Sequence, residues 1–290
     1  MAGKKKLWQN DIFNGFAIPV AIVLGGALII FGVSRMLSSE RTYQDLLVEM
    51  RSKTFGNKWV AAFELSKVVT RSQIPQEELP QFLIELEDIY KTTDDVRTQE
   101  FIVATAGQIN HPLSDKILDE AMDSQSSNIQ FHAVVAYGNR PPGKDTKIPF
   151  LKLFNFLKKD DEILQQAVIL TLGIHRNSES KKILINFLSS SQKMLKYSAA
   201  TSLIPEKENE ALSVLEEILF LTAPKAYSKD DKAQGKLNIN QVSQLKMNIL
   251  KIYEKFPWQN LDPLILRLSK EDASEEIKIK AQDLLNQLKK

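Results

Sequence analysis

The sequence predicts an all-α protein, an α-α superhelix of about seven helix pairs preceded by one transmembrane helix. Three observations predict it. Residues 12–34 carry no ionisable side chain. After Glu40, apolar residues recur at helical spacing, without the two-residue alternation of a half-buried strand. One block of nine or ten residues also returns along the chain, its central positions Ala133, Val168 and Ala199 lying 35 and then 31 residues apart. A period of that size marks stacked helical repeats.

Composition sets the class limits. Of 290 residues, 43% are hydrophobic and 26% charged, so most of the chain can bury a core. Lys and Arg number 38 against 36 Asp and Glu, a net charge of +2 that lacks the basic excess of a nucleic-acid binder. No cysteine is present. That excludes thiol nucleophiles, disulfides, iron–sulfur clusters, cysteine zinc sites and a lipid-bearing cysteine. Eleven glycines and eleven prolines are few for this length and suit long helices.

The uncharged run is long enough for a bilayer core, which takes about 20 apolar residues in a helix. Pro19 and Gly25-Gly26 would weaken a water-exposed helix but are tolerated in a membrane. Trp8 stands at the place of an interfacial aromatic and Lys4-Lys5-Lys6 at that of a cytoplasmic basic flank. No small-x-small cleavage site follows, since the exit reads Val33-Ser34-Arg35-Met36-Leu37-Ser38. The expected organisation is a short basic tail at 1–11, an uncleaved single-pass anchor at 12–34 and a solenoid at 35–290, with a long loop at 222–240. The lysine cluster places the solenoid outside the cytoplasm.

The repeated blocks are residues 57–66, 129–138, 164–173, 195–203 and 277–285, with a weaker copy at 245–253. A further copy, apparently with two extra residues, begins at Asp94-Asp95-Val96-Arg97 and leads to Ala104-Thr105-Ala106-Gly107. In each block, positions one, five, eight and nine share a helical face. Position one is apolar and position five usually small, which lets a neighbouring helix come close. An amphipathic first helix precedes each block, at 43–50, 80–90, 113–122, 148–157, 180–188, 210–221 and 261–268. The pattern resembles the HEAT-repeat family, in particular the bacterial PBS-lyase-type repeats with a Val-Arg-x-x-Ala-Ala-x-Ala-Leu-Gly core. The resemblance covers roughly residues 41–290 and implies a protein-binding solenoid, here in a bacterial inner membrane. Arg follows position one only at Arg97, so the family's Asp–Arg ladder is mostly missing and pairing between repeats stays open.

No catalytic constellation emerges. His111, His132 and His175 fall at unrelated phases of the repeat and form no His-x-x-x-His pair, so no metal site is expected. Phosphate loops and nucleophile elbows are absent. Acidic clusters at Asp160-Asp161-Glu162, at 206–210 and at Glu271-Asp272 fall at expected helix starts, where the helix dipole favours them. The resemblance raises bilin attachment, yet the repeats themselves do not carry that chemistry. Loops 139–147 and 222–240 are rich in lysine or arginine, either as solvated insertions or as docking loops for an acidic partner or anionic lipid headgroups.

The expected function is therefore non-catalytic: a membrane-tethered scaffold or adaptor that binds a protein partner, without cofactor, metal, nucleic acid or small-molecule substrate. The alternative is an accessory subunit of an envelope or transporter complex, and after it a lyase-type enzyme subunit. Positions three and seven of each block point at about 200° and 240° from the buried face. They hold Trp59 and Phe63, Phe131 and Val135, Gln166 and Leu170, Tyr197 and Thr201. Either neighbouring second helices bury these side chains against one another, or Trp59, Phe63, Phe131, Val135, Leu170 and Tyr197 form an apolar partner groove.

Overall fold

The computed structural model describes residues 41–52, 58–143, 147–224, 227–233 and 236–288. The expected anchor at 12–34 lies outside them. Among the described residues no helix is long and apolar enough to cross a membrane. They form fifteen α-helices, three short 3-10 turns and no strand. Fourteen of the helices make seven pairs. These are α1 (Tyr43–Arg51) with α2 (Lys58–Thr70), α3 (Leu79–Thr92) with α4 (Val96–Gly107), and α5 (Pro112–Met122) with α6 (Ser127–Gly138). Next come α7 (Phe150–Phe156) with α8 (Glu162–Ile174) and α9 (Ser178–Phe187) with α10 (Lys193–Ser202). The sixth pair, α11 (Leu212–Leu219) and α13 (Ile239–Lys255), is interrupted by the short α12 (Lys229–Ala233), so the 222–240 segment is not wholly loop. The last pair is α14 (Asp262–Glu271) with α15 (Glu275–Leu288).

Local chemistry starts these helices where they start. Thr42 and Asn238 each complete a reciprocal capping box, with Asp45 and Gln241. Asp95, Asp161 and Asn177 accept the backbone N–H three residues on, satisfying donors that a helix start leaves orphaned. Pro112 occupies the first helical position of α5, and Nδ1 of His111 accepts from the Leu113 N–H at 3.1 Å.

Position five is fully buried at Ala61, Ala133, Val168, Ala199, Ile249 and Ala281; on α4 the register shifts by two residues from Val96, so that Thr98 and Ile102 take the places of positions one and five. With position one, at Thr98, Ile129, Leu164, Leu195 and Ile277, it feeds a single core from Leu46 to Leu284. Each buried Leu or Ile there contributes about 1.5–3 kcal/mol. The closest approach between repeats lies elsewhere, at the C-terminal glycines. A Cβ on Gly107 would meet the Ala136 Cβ at 2.5 Å. On Gly138 it would meet Thr171 Oγ1 at 2.7 Å, and on Gly173 the Ser202 Cβ at 2.4 Å. Only glycine lets these backbones come so near. The hydroxyls facing them bridge the same seams, Thr171 Oγ1 donating to the Val134 carbonyl at 3.2 Å and Ser202 Oγ to the Ile169 carbonyl at 3.4 Å.

The second helices α2, α4, α6, α8 and α10 therefore form a tight, continuous layer, whereas the first helices touch one another more sparsely. This denser layer of second helices is called the inner layer, and the first helices the outer one. The layer breaks after α10, which barely touches α13.

Polar pairing between repeats runs along the first helices instead. Arg51 of α1 reaches Glu85 and Asp88 of α3 at 3.0 and 3.3 Å, and Lys91 of α3 reaches Glu120 of α5 at 3.4 Å. Lys152 of α7 pairs with Asp123 at 2.7 Å. A ladder thus exists, built from other positions than those of the resembled family.

Candidate functional site

The inner face of the second helices collects the expected stripe, with one correction. Trp59 and Phe63 on α2 are 37% and 38% exposed, and Leu170 on α8 is 44% exposed. Phe131 and Val135 on α6 are half-buried and pack on the core. Tyr197 does not belong to the stripe. It is buried, its hydroxyl donating to Glu217 at 2.7 Å. Burial, that carboxylate's hydrogen bond and its charge all hold the phenol's pKa well above its ordinary value. The cause is α11, which packs over α10 and covers the face that a single-helix wheel sends to solvent. Thr201, expected to face outward beside it, is also buried, its hydroxyl donating to the Tyr197 carbonyl at 2.6 Å.

Two residues join the stripe that position counting misses. Phe101 of α4 stacks on Trp59 with ring centroids 6.5 Å apart and packs on Phe63 at 5.4 Å, bridging α2 to α4. It escapes the pattern because the extra residues in that block shift its register. Ile174, the last residue of α8, extends the exposed edge beyond Leu170. Cations lie over the same rings: Arg97 is 5.9 Å from the Trp59 ring centre and Lys67 is 4.1 Å from that of Phe63.

Beside Val135 a cleft of about 320 Å³ opens between α4 and α6. Ala104, Val135 and Ala136 form its apolar side, while Gln108, Asn110, His132, Asn139 and Arg140 supply polar groups. Its size is at the low end for a small-molecule site and suits a single inserted side chain.

The remaining candidates have structural roles. His111 caps α5, and His132 sits edge-on to Phe131 at 5.6 Å. His175 ends α8 with Nε2 at 2.8 Å from the Tyr137 carbonyl, and burial lowers its pKa against that hydrogen bond. Among the described residues no group of His, Asp and Glu could hold a metal ion. Asp161 caps α8 as expected, but Glu271 is the final residue of α14 rather than a helix start. Asp272 beside it is buried in an ion pair with Lys246 at 2.6 Å. In the 139–147 segment Arg140 is no surface cation. It is buried, pairing with Asp115 at 2.8 Å and donating to Asn110 and Ser114.

No family model matches the chain, and no curated protein matches it. Solved structures do. The X-ray structure of YibA from E. coli superposes with a TM-score of 0.54 at 15% identity, over 98% of this chain and 99% of that one. The fold is a helical-repeat solenoid. The crystal structure of the archaeal HEAT-like repeats protein from Thermococcus onnurineus NA1 aligns at a TM-score of 0.42 and 14% identity, over 85% of this chain and 97% of that one.

Proposed function

We propose that this protein is a membrane-tethered, HEAT-type scaffold that holds a protein partner on the inner face of its solenoid and carries out no chemistry itself. One observation carries the reading: Trp59, Phe63, Leu170 and Ile174 are exposed on the second helices, with the half-buried Phe101, Phe131 and Val135 on the helices between them. Contiguous apolar surface with aromatic anchors is what interfaces use. The tether rests on the uncharged run at 12–34 with its lysine and tryptophan flank. A tether confines the scaffold to two dimensions and raises the local concentration of whatever it holds.

The test is co-purification of the full chain from detergent-solubilised, carbonate-washed membranes. A stoichiometric protein should accompany the native chain and be lost with Trp59→Ala plus Phe63→Ala. Both rings also pack on Phe101, so the double variant should lose several degrees of melting temperature, and partner loss is scored at a temperature where circular dichroism shows it fully folded. Release of the chain by carbonate defeats the tether. A partner retained by the double variant defeats the groove.

A further inference from the structure

We propose that the break after α10 is a hinge, about which α13, α14 and α15 swing as one body and widen or narrow a cleft between α10 and α13. Such a hinge belongs to the array itself and needs no partner.

The sequence sets the break. Gly107, Gly138 and Gly173 each hold the tenth position of a block, and each receives the eighth residue of the next second helix, Ala136, Thr171 and Ser202 in turn. In the block of α10 the tenth position is Ile204, and the eighth residue of the α13 block is Ile252. Two branched side chains thus stand in phase where a glycine met a small residue in each earlier seam. Ile204 is wholly buried, and the turn Ile204–Glu206 is what touches α13. A close-packed side chain there works as a spacer, because it cannot be compressed to let the next helix in.

The resulting gap is open at one end. At the carboxyl end of α13 the guanidinium of Arg176 lies 5.3 Å from the Phe256 ring centre and 3.8 Å from the Glu206 carboxylate, which fixes a corner. At the amino-terminal ends, a cleft of about 680 Å³ lies between residues 191–194 of the α10 side and Leu237, Asn238 and Gln241 of the α13 side. The two helices therefore diverge from the corner towards the cleft.

Each side of the gap is stiff. The glycine seams close one body. In the other, Lys246 pairs with Asp272 at 2.6 Å, Lys280 with Glu254 at 2.8 Å, and the Tyr253 hydroxyl donates to Asp262, so α13, α14 and α15 are locked together. Helix α11 is bonded to both bodies through adjacent acids. Glu217 accepts from Lys196 and Tyr197 of α10 at 2.7 Å, and Glu216 pairs with Arg267 of α14 at 3.1 Å. Two stiff bodies, sparsely packed on each other and joined through one helix, make a hinge.

Spin-label distances in the full chain test it, since the protein has no cysteine of its own. Lys193→Cys with Asn240→Cys spans the mouth of the cleft. Glu162→Cys with Lys193→Cys spans α8 and α10 inside the tight layer, and Ser178→Cys with Lys255→Cys reports on the corner; all five positions are exposed. The mouth pair should give a distance distribution about twice as wide as either of the others. Arg176→Ala should broaden the corner pair and leave the α8–α10 pair as it was. A mouth pair as narrow as the other two makes the break a fixed bend and overturns the hinge. Three equally broad distributions overturn it as well, because the motion is then not localised at the break. A corner pair unmoved by Arg176→Ala overturns the assignment of the pivot.

Discussion

Gly173 lies where α8 and α10 touch, and a side chain there would press on both the Cβ and the Cα of Ser202, the latter at 3.0 Å. A backbone atom cannot swing aside as a flexible side chain can. Gly173→Ala should therefore cost about 1–3 kcal/mol, and a chain of this size loses about 2–4 °C of melting temperature per kcal/mol. Gly143 has nothing within 4 Å of its Cβ site, so Gly143→Ala should leave stability unchanged or slightly raised. If both substitutions cost the same, the seam is looser than described. Tyr197 offers a second check at this scale. Tyr197→Phe removes the hydroxyl bonded to Glu217 but none of the ring packing, and should cost about 0.5–1.5 kcal/mol. Asp161 offers a third, read by pH. The Leu164 N–H and then the Ser127 hydroxyl hold its carboxyl below the ordinary 3.8. Its contribution is thus complete above pH 3.8 and disappears as pH falls through the lower folded value. Asp161→Asn keeps the cap and should flatten the acid limb of a stability–pH curve. An unchanged limb would assign the acid sensitivity to other carboxylates.

Between elements, the weakest seam is at α10 and α13, and the sixth and seventh pairs are secured in another way. Lys246 on α13 reaches Asp272, just past the end of α14, and both side chains are almost wholly buried. Removing one partner strands a charge in the interior. Asp272→Ala should cost about 3–5 kcal/mol, whereas Lys246→Met with Asp272→Leu should recover much of that loss. Equal losses in the single and double variants would show that the site needs its polarity. The seven pairs were legible before any coordinates, because a 3.6-residue apolar period and Gly, Pro or Asp punctuation belong to one helix at a time. The exposure of the outward positions was legible only in part, because it depends on which neighbour covers a face. Trp59 and Phe63 keep part of their rings exposed, as position counting expects, although Phe101 of α4 covers the rest. Tyr197 does not, because α11 folds across it, and no spacing within α10 announces that. The polar ladder could have been found by seeking opposite charges one repeat apart, as Arg51 and Glu85 are at 34 residues.

Across the described residues, each pair packs chiefly on its neighbours, so stability builds up interface by interface and need not be lost all at once. The tight layer from α2 to α10 should unfold as one cooperative block, linked by the glycine seams at 107, 138 and 173. Helices α13 to α15, tied to it through α11 and the turn at Ile204–Glu206, should form a second block. Native-state hydrogen exchange read by mass spectrometry separates the two, since local opening reports the free energy of the block that opens. In Asp272→Ala, amides of α13, α14 and α15 should lose protection while those of α4, α6 and α8 keep theirs. In Gly138→Ala the order should reverse, with α6 and α8 exposed first and α15 least affected, because the strain falls inside the tight layer. If either variant lowers protection evenly from α1 to α15, the array is a single cooperative unit, and the break after α10 has no energetic meaning.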